Sequence, residues 1–279
     1  MVKISVICEN TVLTSLRAIG EHGLSLLIES EDTTLFDTGQ GFCLLHNMQA
    51  FGKDPAAIQR VVISHGHYDH TGGLYDLIGK AGKKMPVYIH PDAFHEKLAV
   101  IPGPRGAIEV PIGMQRSRQE YLAAGADFVP AEKVTAVTKG VTAFSSIPRP
   151  GNWKGWDDRL KVRSNGVIAD DPFNDDLTLL LETASGPVVL LGCAHAGMVD
   201  ILDYISAETG LKEFHAVIGG THLGSAPENY RLLAGDTLER YGVKVIATSH
   251  CTGLPAACEL SQRFGDRFAY ACVGSVFEF

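Results

Sequence analysis

The stretch from Ile58 to Lys80, IQRVVISHGHYDHTGGLYDLIGK, constrains this chain more than any other. IQRVVI reads as a buried strand and TGGLYDLIGK as the entry to a helix. The polar turn between them sits where a strand hands over to a helix, a common place for chemistry on an α/β scaffold. That turn carries His65, His67, Asp69 and His70 within six positions. His65 and His67 are two apart, so in an extended segment they project to the same side. Asp69 and His70 follow as the helix opens and aim at a neighbouring point. Imidazole nitrogen with carboxylate oxygen is the donor mix expected of zinc, and iron or manganese tolerate it. Two donor pairs displaced along the chain suit two adjacent metals better than one. The bland alternative is a polar turn with incidental histidines, but four potential ligands in six residues are hard to bury without a task.

The same punctuation returns in the second half. LLGCAHAG, VIGGTHLG and IATSHCTG each end an apolar run and precede a helical pattern, which puts His195, His222 and His250 on one rim of the sheets. His195 and His250 read as further ligands, and His222 reads equally as a ligand or a substrate contact. His22, His46, His90, His95 and His215 read as structural or surface residues, with His90 the one most apt to approach the site because it ends a strand.

The rest of the chain supports a layered α/β fold. Strand-like runs KISVIC, LSLLIES and TTLFDTG open it, and helical patterns follow at GFCLLHNMQAFG, GGLYDLIGKAG and from about Pro91. SRQEYLAAGAD looks helical and VTAVTKGVTAFSSI looks like paired strands. From Leu177 onward strands and helices alternate to the end of the last helical pattern at Gly265. β-rich starts and β–α alternation in both halves predict two sheets sandwiched between helices, a four-layer αββα arrangement in a single domain spanning 1–279. Residues 148–175 are rich in Pro, Gly, Asn and Asp and read as one long loop near the site. They hold Trp153 and Trp156, which either form an aromatic wall for a flat substrate or tie the loop down.

Charge and cysteine use narrow the function. A net charge of −8 over 279 residues argues against a nucleic-acid partner bound through a basic surface. Six scattered cysteines with no CxxC pair read as reduced thiols. The opening MVKISVICENTVL breaks its apolar run at Glu9 and Asn10, unlike a signal peptide. No stretch approaches the roughly 18 apolar residues needed to cross a bilayer. A cytoplasmic enzyme acting on a small molecule is the expectation, with no nucleic-acid or membrane partner.

HGHYDH preceded by a hydrophobic strand and followed by Thr-Gly-Gly resembles the HxHxDH signature of the metallo-β-lactamase fold superfamily. LFDTG at 35–39, EHGLSLLIES, GCAHAG, GGTHL and SHCTG extend the resemblance over nearly the whole chain. Together they look like the subgroup named for 7,8-dihydropterin-6-yl-methyl-4-(β-D-ribofuranosyl)aminobenzene 5′-phosphate synthase. The resemblance implies the αββα fold and two divalent metal ions, zinc foremost, with iron or manganese as alternatives. It assigns His65 and His67 to a first metal, Asp69 and His70 to a second, and His250 to the last position of the second site. Asp37 falls beside the metals. A histidine in the stretch of His222 lies near the substrate in this superfamily, which makes His222 a candidate general acid, with Asp69 also orienting the nucleophile. The chain departs from the pattern in two places. Many superfamily hydrolases carry a histidine just before the strand pair that starts here at Leu177, and this chain has none there, so His195 becomes the candidate for the missing first-site ligand. The usual bridging aspartate is replaced by Gly192-Cys193, so Cys193, Asp175, Asp176 or water alone takes its place. The activity implied is hydrolysis of a small anionic, phosphoester-type molecule by a metal-bound hydroxide. The alternatives are transfer of a pterin from its diphosphate to an aromatic ring carbon, and a di-iron redox centre.

Overall fold

The computed structural model describes residues 1–104, 106–149, 155–164 and 166–279. The chain opens antiparallel, with β1 (Lys3–Cys8), β2 (Ser25–Glu29) and β3 (Thr33–Phe36), and then adds β4 (Arg60–Val62) and β5 (Met85–Ile89) in parallel beyond β3. β6 (Glu96–Gly103) and β7 (Gly106–Pro111) leave this sheet as a hairpin, and β8 (Ala126–Pro130) returns beside β5. A second series comprises β9 (Val134–Thr138), β10 (Val141–Phe144), β13 (Thr178–Leu181), β14 (Val188–Leu191), β15 (Ala216–Gly220), β16 (Val245–Ser249) and β17 (Phe268–Tyr270). Between β10 and β13 lie β11 (Leu160–Ser164) and β12 (Val167–Asp170), and β18 (Val276–Glu278) closes the chain against β1. The first sheet runs β18-β1-β2-β3-β4-β5-β8 and the second β17-β16-β15-β14-β13-β10-β9.

Among the described residues seven α-helices accompany them: α1 (Leu44–Ala50), α2 (Tyr68–Thr71), α3 (Leu74–Ala81), α4 (Arg118–Ala124), α5 (Met198–Thr209), α6 (Glu228–Arg240) and α7 (Leu254–Phe264). Three apolar clusters show how the layers stack. Ile4, Leu26, Phe36 and Val62 of the first sheet meet Leu179, Leu190, Ile218 and Ala247 of the second. The far side of the first sheet is covered by Leu44, Met48, Leu77 and Tyr121 of α1, α3 and α4. Ile201, Leu238 and Leu260 of α5, α6 and α7 cover the far side of the second. This is the αββα sandwich. The parallel strands β14 to β16 are buried on both faces, which is why VVLL and AVIGG are continuously apolar instead of alternating. Among the described residues no helix is long and apolar enough to cross a membrane.

Two expectations need correction. Residues 148–175 are not one long loop, because β11 and β12 form a hairpin that pairs with β6 and β7 into a third sheet of order β12-β11-β6-β7. Pro, Gly and Asp crowd the ends of this segment and mask the two short runs LKVRS and VIAD. The Asn-Gly between those runs is a hairpin signal. The helix expected from Pro91 is a single 3₁₀ turn, Pro91–Phe94, after which the chain enters β6. Pairing of β6 with strands on both sides outweighs the local helical pattern.

Candidate metal centre

The C-terminal ends of β1, β3, β4, β14, β15 and β16 converge on one rim. From β4 the chain passes through Ser64 into the histidine turn and α2, which brings His65, His67, Asp69 and His70 inward as buried side chains. His195 follows β14, His222 follows β15 and His250 follows β16. His65, His67 and His195 each bring a ring nitrogen within 4.8 Å of the others, and His65, His70 and Cys193 do the same. Cys193 also groups with His195 and His222, and with His250 and Cys251. Its sulfur lies 3.1 Å from His70 Nε2, at the junction of these donor sets.

Asp69 completes the second half. Its Oδ2 stands 3.2 Å from His250 Nε2 and 3.8 Å from His70 Nε2, and His70 Nε2 is 3.2 Å from His250 Nε2. The outward nitrogens are held by partners around the rim. His70 Nδ1 is 2.7 Å from Asp37 Oδ2, and His250 Nδ1 is 2.9 Å from Asn10 Oδ1. Glu9 Oε1 accepts from the His250 backbone N–H at 2.8 Å. Such partners fix the tautomer and leave the inward nitrogen free to ligate. Ser64 N donates to Asp37 Oδ1 at 2.7 Å, so one aspartate holds both the backbone and a ring of the histidine turn. A Cβ on Gly192 would run into Ser64 Oγ, so the turn needs glycine at that position.

Electrostatics separates the two halves. Burial, reinforced by neighbouring cationic groups, pushes His67 down to about 3 and holds His65 and His195 well below the usual imidazole range. These rings are neutral at pH 7, the state that binds a metal. Burial also disfavours the charged form of His70, but Asp37 and Asp69 more than reverse it and bring the ring to about 9. Asp69 is desolvated too, yet His70, His22 and His250 keep it well below its ordinary value.

Whether the cluster suits a metal can be read from what it leaves unpaired. His67 Nε2 and His195 Nε2 are buried with no hydrogen-bond partner, as are both ring nitrogens of His222. A buried polar atom left bare costs about 1–3 kcal/mol. Several such nitrogens aimed into one cluster of nitrogen, sulfur and carboxylate donors fit a metal centre. The backbone is strained in the same place. Of eight non-glycine residues with positive φ among the described residues, Asp37, Phe173, Ala194, His222 and His250 belong to this rim.

The aspartates near Leu177 have other partners. Asp175 accepts from Gly66 N at 2.9 Å and from Lys97 Nζ at 2.8 Å, and Lys97 also reaches Asp171 at 2.8 Å. Asp176 accepts from Ala196 N at 2.6 Å through Oδ2, while its Oδ1 is buried without a partner. Among the alternatives expected for a bridging aspartate, Cys193 places its sulfur against His70. Phe173 lies flat on His195, centroids 4.5 Å apart and planes 8° apart. Trp156 packs 4.6 Å from Tyr230 of α6, against the core. Trp153 lies outside the described residues. His90 caps the 3₁₀ turn by accepting from Asp92 N, and its other nitrogen meets Ser146 Oγ at 3.1 Å.

Sequence reading missed His22, whose Nε2 is 3.1 Å from Asp69 Oδ2. It also missed Glu9, Asn10, Cys251, Lys97 and Phe173. Glu9 and Asn10 carried a signal, since they directly follow a buried strand, but they were read only as the break in an apolar run. Lys97 carried none.

This rim of histidines at strand ends on paired sheets defines a metal-dependent class. The chain belongs to the metallo-beta-lactamase superfamily, whose family model matches residues 19–250. It is 28% identical over 280 residues to the 7,8-dihydropterin-6-methyl-4-(beta-D-ribofuranosyl)-aminobenzene-5'-phosphate synthase of Methanocaldococcus jannaschii, covering 93% of this chain and 90% of that one. An uncharacterized protein of the same organism is 30% identical over 274 residues, covering 98% of each chain. A solved structure described as a metal-dependent hydrolase of the beta-lactamase superfamily superposes with a TM-score of 0.85. It is 29% identical, and the match covers 100% of this chain and 99% of that one.

Proposed function

We propose that this protein is a dinuclear-metal-dependent hydrolase of a small anionic molecule of phosphoester type. The carrying observation is the pair of donor sets that share one rim, with ring nitrogens of His67 and His195 buried and unpaired. In this reading His65, His67 and His195 hold the first metal and Asp69, His70 and His250 the second, with Cys193 between them. Zinc suits the histidine-rich first set, and the thiol and carboxylate of the second also admit iron or manganese. When bound, such ions polarise an ester oxygen and lower the pKa of water, which is the chemistry a hydrolase of this kind draws on. His222, at the rim beside His195 with ring centroids 4.4 Å apart, donates a proton to the leaving oxygen. Asp69 orients the nucleophile. Phe173 holds the His195 ring in plane. Action on a soluble metabolite in the cytoplasm is part of the same proposal, and all six cysteines being free thiols supports it.

A second reading is favoured by the curated relative at 28% identity over 93% of the chain. In it, the same centre binds the diphosphate of a dihydropterin and an aromatic ring carbon displaces it in place of water. One set of measurements separates the two. The hydrolase reading expects about two metal ions per chain by elemental analysis and turnover of bis(p-nitrophenyl) phosphate that EDTA stops. His67→Ala should lose one metal, all turnover and thermal stability, because a bound ion stabilises the folded state by mass action. Inactivity on the diester would transfer the assignment to the synthase if diphosphate is released from 7,8-dihydropterin-6-ylmethyl diphosphate plus 4-(β-D-ribofuranosyl)aminobenzene 5′-phosphate. One ion or fewer per chain would end the dinuclear scheme.

A further inference from the structure

We infer that the cleft beside the metal centre takes the anionic end of an elongated organic phosphate through Arg116 and Arg118. This inference rests on the reading that the centre acts on a phosphoester-type molecule. The cleft encloses about 860 Å³ and is lined by Tyr68 and Lys97 near the histidine turn, by Phe94 and Ile112, and by Arg116 and Arg118. That volume suits a small-molecule site. Tyr68 stands between His67 and Asp69 in the chain, and its N–H donates to Ile112 O at 2.9 Å. The wall of the cleft and the metal donors are therefore joined backbone to backbone.

The charges along the cleft differ in whether they are already matched. Glu96 pairs with Arg163, and Lys97 is buried between Asp171 and Asp175. Glu120 is drawn to the Ser117 N–H and hydroxyl, both at 2.8 Å, and stands 3.6 Å from Arg116. Among the described residues no carboxylate pairs with Arg118. Aromatic faces hold both guanidinium groups: Arg116 lies 4.0 Å over the Tyr75 ring, and Arg118 lies 5.8 Å over Phe94 and over Phe128. An aromatic face positions a guanidinium without neutralising it or using its N–H donors. Arg118 is thus exposed and unmatched by a carboxylate among the described residues, and Arg116 is exposed with Glu120, already bonded to Ser117, 3.6 Å away, on a chain whose net charge is −8. An anion would be attracted by this pair and not by the field of the whole protein. The planar fork of arginine matches phosphate oxygens two at a time. Phe94 and Ile112 supply an apolar wall for the organic part lying between that head group and the metal rim.

Phenylphosphonate, whose P–C bond resists hydrolysis, is the probe, with its neutral diethyl ester as the uncharged control. Calorimetric titration of the metal-loaded protein should show the acid binding and the ester not binding. Arg118→Gln should weaken the acid about tenfold, and Arg116→Gln/Arg118→Gln should weaken it further and flatten its salt dependence. Both substitutions are on exposed side chains, and metal content should stay at the wild-type value. Equal affinity of the acid for wild type and double variant, or equal affinity of acid and ester for wild type, would overturn the inference. Loss of binding in the double variant would uphold it whether or not bis(p-nitrophenyl) phosphate is turned over, so its failure is distinguishable from that of the hydrolase reading.

Discussion

Asp37 and His70 are 33 residues apart in the chain, and their side chains meet at 2.7 Å, both fully buried. Asp37 adopts a φ of 62°, a conformation costly for a non-glycine residue, and its other oxygen binds the Ser64 N–H. The carboxylate therefore fixes the inward-facing nitrogen of His70 instead of ligating. Asp37→Ala should weaken the second metal by about 10–100-fold while the first is retained. Competition with a chromophoric chelator would resolve the two sites. Equal weakening of both would show that Asp37 holds the whole turn and not one ring.

His222 has both ring nitrogens buried and unpaired beside His195. His222→Ala should keep both metals and the melting temperature, and lose roughly 10²–10⁴-fold in rate. Metal content and turnover need to be measured on the same preparation. Loss of a metal would make His222 a ligand, and full activity would remove it from the chemistry.

Asp176 gives the pH prediction. Burial raises its carboxyl to about 7 against the pull of the Ala196 N–H. Between its ordinary 3.8 and about 7 the folded metal-free chain keeps a proton that the unfolded chain has released. The stability this contributes is complete below the ordinary carboxylate range and is lost as pH rises through about 7. Asp176→Asn should therefore flatten the fall in urea midpoint between pH 5 and pH 8, with the variant gaining most on wild type at pH 8. Parallel curves for the two proteins would show that the group is ionised throughout.

Lys97 is 2% exposed and its ammonium serves two carboxylates. Burial pulls its pKa down, and Asp175 and Asp171 more than reverse that. Lys97→Met would leave both carboxylates buried without a cation, at a cost of about 3–5 kcal/mol in urea unfolding. Since Asp175 also holds Gly66 N between His65 and His67, metal affinity should fall as well. Lys97→Met/Asp171→Asn should recover part of the stability.

The layered fold and the histidine rim were legible because both depend on local pattern. Continuous apolar runs mark β14, β15 and β16, and each run ends in a turn that carries a histidine. The third sheet was hidden because β7 and β12 are exposed along their whole length and so show no core-facing alternation. The partners of the rim were hidden for a different reason. Asn10 meets His250 across 240 positions, and Lys97 meets Asp175 across 78. No local periodicity encodes such contacts, and a lysine on a strand ordinarily points to water. His22 looked like a surface residue and is half exposed, yet its ring reaches Asp69 from the solvent side.

The four-stranded sheet of β6, β7, β11 and β12 is built from two excursions of the chain, and buried Lys97, with the Tyr68–Ile112 backbone bond beside it, ties it to the metal rim. The sheet's inner ends and the connection to α4, which line the cleft, are thereby separable from the part that would hold the ions. A change in the connection from Val110 to Gln119, between β7 and α4, would alter the lining of the cleft without displacing a proposed donor, since none is borne there. Such a chain could be refitted to a different molecule by exchanging one connection, in the way a tool takes a new jaw on an unchanged handle.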